Sequence, residues 1–365
     1  MYENMALFYD SFTDDLDREK EARFLEDVFL RFGNRGLKAV AMRNAKADGF
    51  EGPLAHGPEG SAATASEKHA ESEPHRSEAL SERGPEEASA DGTGAVNGED
   101  IDLSTLVIDV GCGTGDLSIL MSRKGYDVTG LDVSPEMLDV ASRKAEKAGE
   151  SILWLCQDMC EMDTYGSYAA MFCFTDGINH IQDKDSLRAF FERARNFIDR
   201  GGLLIIDFLP PHYLRRIARQ GILYDSREEG SCVWWGEYNR GVIDYEIECF
   251  VGSKSTVPKI AAPKGAAPKG TDPEDPASQD GGANEDLCEG SPAAGVSDDH
   301  SSGGFVRYRE SVSERGWTAR EIKKLLRRSG FRILECKRCD TDGENTAEPA
   351  GGIRPERYYA IARRM

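Results

Sequence analysis

A chain of 365 residues with 39% hydrophobic residues and a net charge of −20 has room for one large domain or two ordinary ones. The acidity argues against a nucleic acid or other polyanion as partner, which would call for a basic patch. Apolar runs such as Leu203 to Ile206 are too short to cross a membrane. Nine cysteines and no signal-peptide pattern point to a reducing cytoplasm.

In chain order, the first expected element is a helix from Leu16 to Phe32. Residues 1–44 are too few to bury a core of their own, so this helical segment should dock on the rest. Residues 45–100 follow, rich in Gly, Ala, Ser, Glu and Pro, with 13 acidic against 4 basic residues. Such a composition cannot offset the entropy of ordering, and a disordered insertion is expected.

From 101 to 210 the pattern alternates. Strands are expected at 105–110, 126–131, 151–156, 169–174 and 203–208, with helices at 115–124, 135–148 and 184–198. Ser134 can cap the second helix, with Pro135 at its first position. This is the rhythm of a doubly wound parallel sheet in the α/β class. After Pro210-Pro211 the period shifts to two. Cys232 to Tyr238 and Val242 to Val251 flank Asn239-Arg240-Gly241, a hairpin signal. Residues 211–252 and 305–317 therefore form a small antiparallel β lid, split by a second expected disordered insertion at 253–304 with 9 acidic and 4 basic residues. Thr318 starts a helix to Ser329, and strands at 331–336 and 358–362 complete the segment 318–365. The basic run Arg320 to Arg328 carries Ile322, Leu325 and Leu326 at helical spacing, so its charges are the solvated face of that helix.

The most informative run is Asp109-Val110-Gly111-Cys112-Gly113-Thr114-Gly115-Asp116. Glycines at the end of a buried strand let the backbone approach a ligand that a Cβ would push away. A dinucleotide site would space them G-x-G-x-x-G for a pyrophosphate on the helix N-terminus. Here the third glycine comes one residue early, and the Asp116 carboxylate repels phosphate. A cationic, phosphate-free ligand fits better. Asp132, at the end of the second strand, is placed to accept hydrogen bonds from two ribose hydroxyls.

This run resembles the class I S-adenosylmethionine-dependent methyltransferases. So do Met1-Tyr2-Glu3-Asn4 with Phe8-Tyr9-Asp10, Leu153 to Met159, Cys173 to His180, and Glu310 to Phe331. The likeness covers nearly all of the chain outside the two insertions and is closest to a bacterial small-molecule group. It implies one methyltransferase domain with a mostly parallel seven-stranded sheet whose antiparallel strand lies at the C-terminal end. S-adenosylmethionine is the implied cofactor. Asp109, Gly111, Cys112, Gly113 and Gly115 would wall the methionine moiety, with Tyr9 closing over it. Asp132 would bind the ribose, Val133 and Phe174 would pack beside the cofactor, Asp158 would accept from the adenine amine, and Met159 would add a backbone contact.

Two departures bear on the acceptor. The segment Asp176-Gly177-Ile178-Asn179-His180-Ile181 stands where relatives read Asp-Ser-Leu-Asn-Tyr-Leu, and Val312 stands where a histidine often follows a glutamate by two residues. His180, with an ordinary pKa near neutrality, is the candidate general base, and Asn179 is the candidate holder of the acceptor. Trp234, Trp235 and Tyr238 either line an acceptor pocket or form the lid's core. No metal is expected, because Cys336-x-x-Cys339 lacks a second ligand pair. The implied reaction is methyl transfer to a small molecule. The alternatives are an RNA or protein methyltransferase, which the missing Asn/Asp-Pro-Pro-Tyr disfavours, and a binding module without turnover.

Overall fold

The computed structural model describes residues 6, 9–12, 17–48, 104–227, 230–252, 305–338 and 356–365. The insertion at 253–304, all but the first residues of that at 45–100, and Cys339 lie outside them.

The first core strand, β1 (Leu106–Val110), shows why the sheet is covered on both sides. Ile108 and Val110 pack into one apolar cluster and Val107 into another on the opposite face. The same alternation recurs in β4 (Tyr168–Cys173), where Met171 and Cys173 face one layer and Ala170 and Phe172 the other. It recurs again in β5 (Ile198–Phe208). Side chains with period two and apolar residues at both phases demand burial on both faces.

The remaining strands of this sheet are β2 (Asp127–Asp132), β3 (Leu153–Cys156), β10 (Phe331–Arg338) and β11 (Tyr358–Arg364). Their order is β10-β11-β5-β4-β1-β2-β3. β1 pairs parallel with both β2 and β4, while β11 lies antiparallel between β5 and β10. The seven-stranded sheet with one antiparallel strand near its end is as expected. Strand order reverses between β1 and β4, which opens a crevice at their carboxyl ends.

One layer is built by α6 (Lys184–Phe197) and α8 (Ala319–Arg328), around Phe190, Phe191, Trp317 and Leu326. The other is built by α2 (Arg18–Phe32), α3 (Arg35–Ala47) and α4 (Asp116–Arg123), around Leu25, Phe29, Leu37 and Met121. The N-terminal helices pack against the sheet in this layer, with more structure than a single helix. A four-residue helix α1 (Tyr9–Phe12) precedes α2, and α3 runs to Ala47, three residues into the stretch expected to be disordered. Buried Leu37, Val40 and Ala41 supply the tertiary contacts that hold α3 despite its polar end. α5 (Pro135–Ala148) is capped by Ser134 as expected.

The lid is a four-stranded antiparallel sheet, β6-β7-β8-β9, formed by β6 (Leu223–Ser226), β7 (Gly230–Asn239), β8 (Val242–Gly252) and β9 (Phe305–Arg315). Arg240 and Gly241 both take positive φ, as a tight hairpin turn requires. β6 and the helix α7 (Pro211–Ala218) were not expected; β6 has only four residues, and α7 stands at the double proline where the pattern turned to a period of two. Cys232 and Cys249 face each other across β7 and β8 and are joined by a disulfide, a pairing the reading of the cysteines as reduced thiols did not foresee. Among the described residues no helix is long and apolar enough to cross a membrane.

Candidate functional site

The crevice at the strand ends is a cleft of about 830 Å³, within the range of small-molecule sites. Its floor is the glycine run. The backbone N–H groups of Gly111 and Cys112 donate to Leu131 O at 2.7 and 3.0 Å, docking the loop on the end of β2. Gly111 and Gly113 take φ of +72° and +54°. A Cβ on Gly113 would meet nothing within 4 Å, so its face is open to the cleft.

Asp132 accepts from the N–H groups of Gly113 and Ser134, one at each oxygen and both at 2.9 Å. Each oxygen keeps a lone pair for a further donor. Burial raises its pKa despite these bonds. Val133, next in the chain, is 53% exposed and lines the cleft, an apolar surface presented to whatever enters. Asp158 lines the same wall and accepts from Cys160 N at 2.7 Å. Met159, Phe174, Tyr9 and Cys112 also border the cleft, and burial pushes the Cys112 thiol well above its ordinary value.

Gly115 is the exception among the glycines. It does not border the cleft; it starts α4 at φ +79°, and a Cβ there would stand 2.7 Å from Trp154 Cη2 and 2.9 Å from Ala141 Cβ. Its role is to seat the Trp154 indole, which also lies across Gly130. The expected contact of Gly115 with the ligand is corrected to packing.

Asp109 is buried and accepts from Ser118 Oγ at 2.6 Å, and burial pushes it up to about 7. An unfolded aspartate titrates near 4, so the folded chain holds the extra proton between about pH 4 and 7. Stability should therefore fall as pH rises through that window. Asp109→Asn removes the cost of the buried charge. In the absence of ligand this variant should gain roughly 2–4 kcal/mol on wild type at pH 8 and little at pH 4. Thermal denaturation at the two pH values checks this, and equal gains at both would contradict it.

Tyr9 is held over the cleft by the residue beside it. Asp10 accepts from Thr114 Oγ1 at 2.5 Å and from Lys144 Nζ at 2.7 Å, and Lys144 also pairs with Asp116. Burial pushes the Tyr9 hydroxyl up to about 12, so it stays protonated.

The opposite end of the cleft follows β4. Thr175 and Asp176 take φ of +55° and +64°, conformations that side chains other than glycine adopt at a cost. Asp207 holds both by accepting their N–H groups at 3.2 Å. Arg357, just before β11, pairs with Asp207 and with Asp176, the latter at 2.8 Å. Burial pushes Asp176 up to about 6 against the pull of that guanidinium. Arg18 donates to Thr175 Oγ1 and Glu21, each at 2.8 Å. Glu314 reaches the cleft from β9.

His180 borders this end, on the short 3₁₀ turn Gly177–His180. Burial lowers its pKa to about 4, so it is a neutral imidazole at pH 7 and not a base poised near neutrality, as expected from its ordinary value. Asn179 does not face the cleft. Its amide donates to Leu209 O at 3.0 Å and Arg315 O at 2.7 Å and accepts from Leu209 N at 3.0 Å. With its side chain consumed in pinning the lid to the core, it cannot hold an acceptor. Trp234 and Tyr238 pack within lid clusters, and neither they nor Trp235 border the cleft. Arg18, Asp207, Glu314 and Arg357 were missed. The one available signal was the acid of β9 at an inward phase of the strand's alternation.

A family model described as a methyltransferase domain matches residues 107–202. A protein of Geobacillus sp. (strain WCH70), named as a provisional methyltransferase, is 32% identical over 128 residues, 35% of this chain and 52% of the relative. A ubiquinone biosynthesis O-methyltransferase of Erwinia tasmaniensis is 40% identical over 83 residues, covering 22% of this chain and 34% of that one. The chain spans about half the length of the first of these curated relatives. Among solved structures, an S-adenosylmethionine-dependent methyltransferase from Clostridium acetobutylicum superposes with a TM-score of 0.51 at 19% identity, over 71% of this chain and 83% of that one.

Proposed function

From a core that is a class I S-adenosylmethionine-dependent methyltransferase fold, we propose that this chain transfers the cofactor's methyl group to a small-molecule acceptor. The observation that carries this is the gathering of Asp109, Asp132 and Asp158 around the open glycine run in one cleft. The residues fit the cofactor. The spare lone pairs of Asp132 suit a ribose diol, the exposed Val133 suits an adenine face, and the acids lining the cleft suit a positive charge. The bound cofactor supplies an electrophilic methyl on a sulfonium. The protein's part is to orient the acceptor in line with it and to exclude water.

Tyr9, clamped through Asp10, closes over the methionyl end. Met159 and Phe174 wall the reacting centre, and Asp158 accepts from the adenine amine. His180, neutral and hydrogen-bonded to the Ser313 backbone, positions the acceptor. With an acceptor in hand, His180→Ala should lower the rate about five- to tenfold, the worth of one neutral hydrogen bond. Cofactor affinity and the pH–rate profile between 6 and 9 should hold. A lost limb near pH 6.5 in initial-rate measurements would reinstate it as a base.

The acidic cleft supports a small, uncharged or cationic acceptor over a polyanion such as RNA. The reading is tested by titration calorimetry with S-adenosylmethionine and S-adenosylhomocysteine, followed by transfer of isotopically labelled methyl. One binding site per chain and labelled small-molecule product are expected; absence of cofactor binding would end the proposal.

A further inference from the structure

Glu314 is placed where folding alone gives no reason for a carboxylate. On β9, Arg309, Ser311 and Ser313 face outward and bond Glu246 and Asp244 of β8. Val312 and Glu314 take the other phase, opposite Tyr245 and Ile243, and Ile243 lies in a buried apolar cluster with Tyr213 and Leu214. No described residue donates a hydrogen bond to Glu314, which is half-buried in the wall of the cleft. A carboxylate partly withdrawn from water without a partner carries a cost that an entering cation would relieve.

The charges around it do not balance. Asp176, Asp207, Glu314 and Glu21 gather at this end, with Arg357 and Arg18 the described cations among them. Arg357 is already held by Asp176 and Asp207, and Arg18 by Glu21. Burial, then Asp176, pushes Glu314 up to about 8 against the pull of Arg357, the mark of a carboxylate short of a cation.

We infer that the methyl acceptor is an amine, and that Glu314 is the catalytic residue that binds its nitrogen and takes its proton. The inference rests on the methyl-transfer reading and names the acceptor class for that same cleft. The amine enters as an ammonium ion. Pairing with the ammonium drives the Glu314 proton out to water, and the resulting carboxylate removes one N–H proton, which frees the nitrogen lone pair. That pair forms the N–C bond to the methyl group as the C–S bond breaks, its electrons passing to sulfur to leave a thioether. The product leaves as an N-methylammonium ion, and Glu314 releases its proton to water. An amine is cationic on entry and on exit, so the carboxylates favour it at both ends of the step. A hydroxyl acceptor would pass through a developing alkoxide, which the same carboxylates oppose.

The test uses the full chain, methyl-labelled cofactor, the small-molecule fraction of the cells that make it, and a panel of primary amines, phenols and thiols at equal concentration. Label on nitrogen is expected. Glu314→Gln should lower that transfer by about 10²-fold or more, with cofactor affinity unchanged within about twofold and partial rescue by Glu314→Asp. Label on oxygen, sulfur or carbon, a wild type that binds cofactor but methylates no amine, or Glu314→Gln turning over at the wild-type rate would overturn the inference. Absence of cofactor binding by wild type would overturn the methyl-transfer reading first and this with it. The labelled atom in the wild-type product decides the acceptor class whatever the variants' folding.

Discussion

Replacing Asp132 by Ala should weaken S-adenosylmethionine binding by about 1.5–3 kcal/mol, roughly 10- to 150-fold in Kd. Two effects add. The variant loses a charge-assisted acceptor for the ribose hydroxyls, and the glycine loop loses the oxygen that holds Gly113 N at 2.9 Å. Asp132→Asn separates them. It keeps one acceptor oxygen and a similar shape, so its loss should be the smaller of the two. Calorimetric titration of both variants checks this. An unchanged Kd for the alanine variant would remove Asp132 from the ribose site and leave it a loop anchor.

Gly115→Ala should cost about 2–4 kcal/mol of folding stability while leaving the cleft-facing groups in place. The left-handed backbone at φ +79° accounts for roughly 1 kcal/mol of that. The rest comes from forcing a methyl group to within 2.7 Å of the Trp154 ring, an overpacking of about 1–3 kcal/mol. In thermal denaturation this is a fall of roughly 5–15 °C for a core of this size. Trp154→Leu opens the space, so the double variant should lose less than the sum of the single losses. Strict additivity would place the whole effect in the backbone and none in the indole.

The contrast between Gly115 and Gly113 shows where sequence reading stops. Both belong to one short motif and both need positive φ, yet one faces open space and the other a tryptophan 39 residues on. Spacing reports that the backbone must turn; it does not report what stands beyond the turn. His180 and Asn179 divide in the same way. They are adjacent and both polar, but a 3₁₀ turn sends one to the cleft and the other into the joint between core and lid. The ordinary pKa of histidine was the wrong guide, because burial decides it, and burial is a property of the packed chain.

By itself the sequence determined the alternating strands and helices, the sheet they build, the lid hairpin, the glycine turn and the acids Asp109, Asp132 and Asp158 at strand ends. Each rests on a local rule: a period of two or 3.6, a cap, or a residue type at the end of a run. Only the tertiary structure decided the far end of the cleft. Arg357 meets Asp176 across 181 residues of chain and Asp207 across 150. Glu314 arrives there on a strand of a different sheet. No local pattern encodes such meetings. They exist because the closing antiparallel strand β11 slots beside β5, and because Asn179 and Trp317 tie the lid to the turn after β4. Charge pairing at that distance is set by where the sheets dock, and docking is settled by burial summed over the whole core.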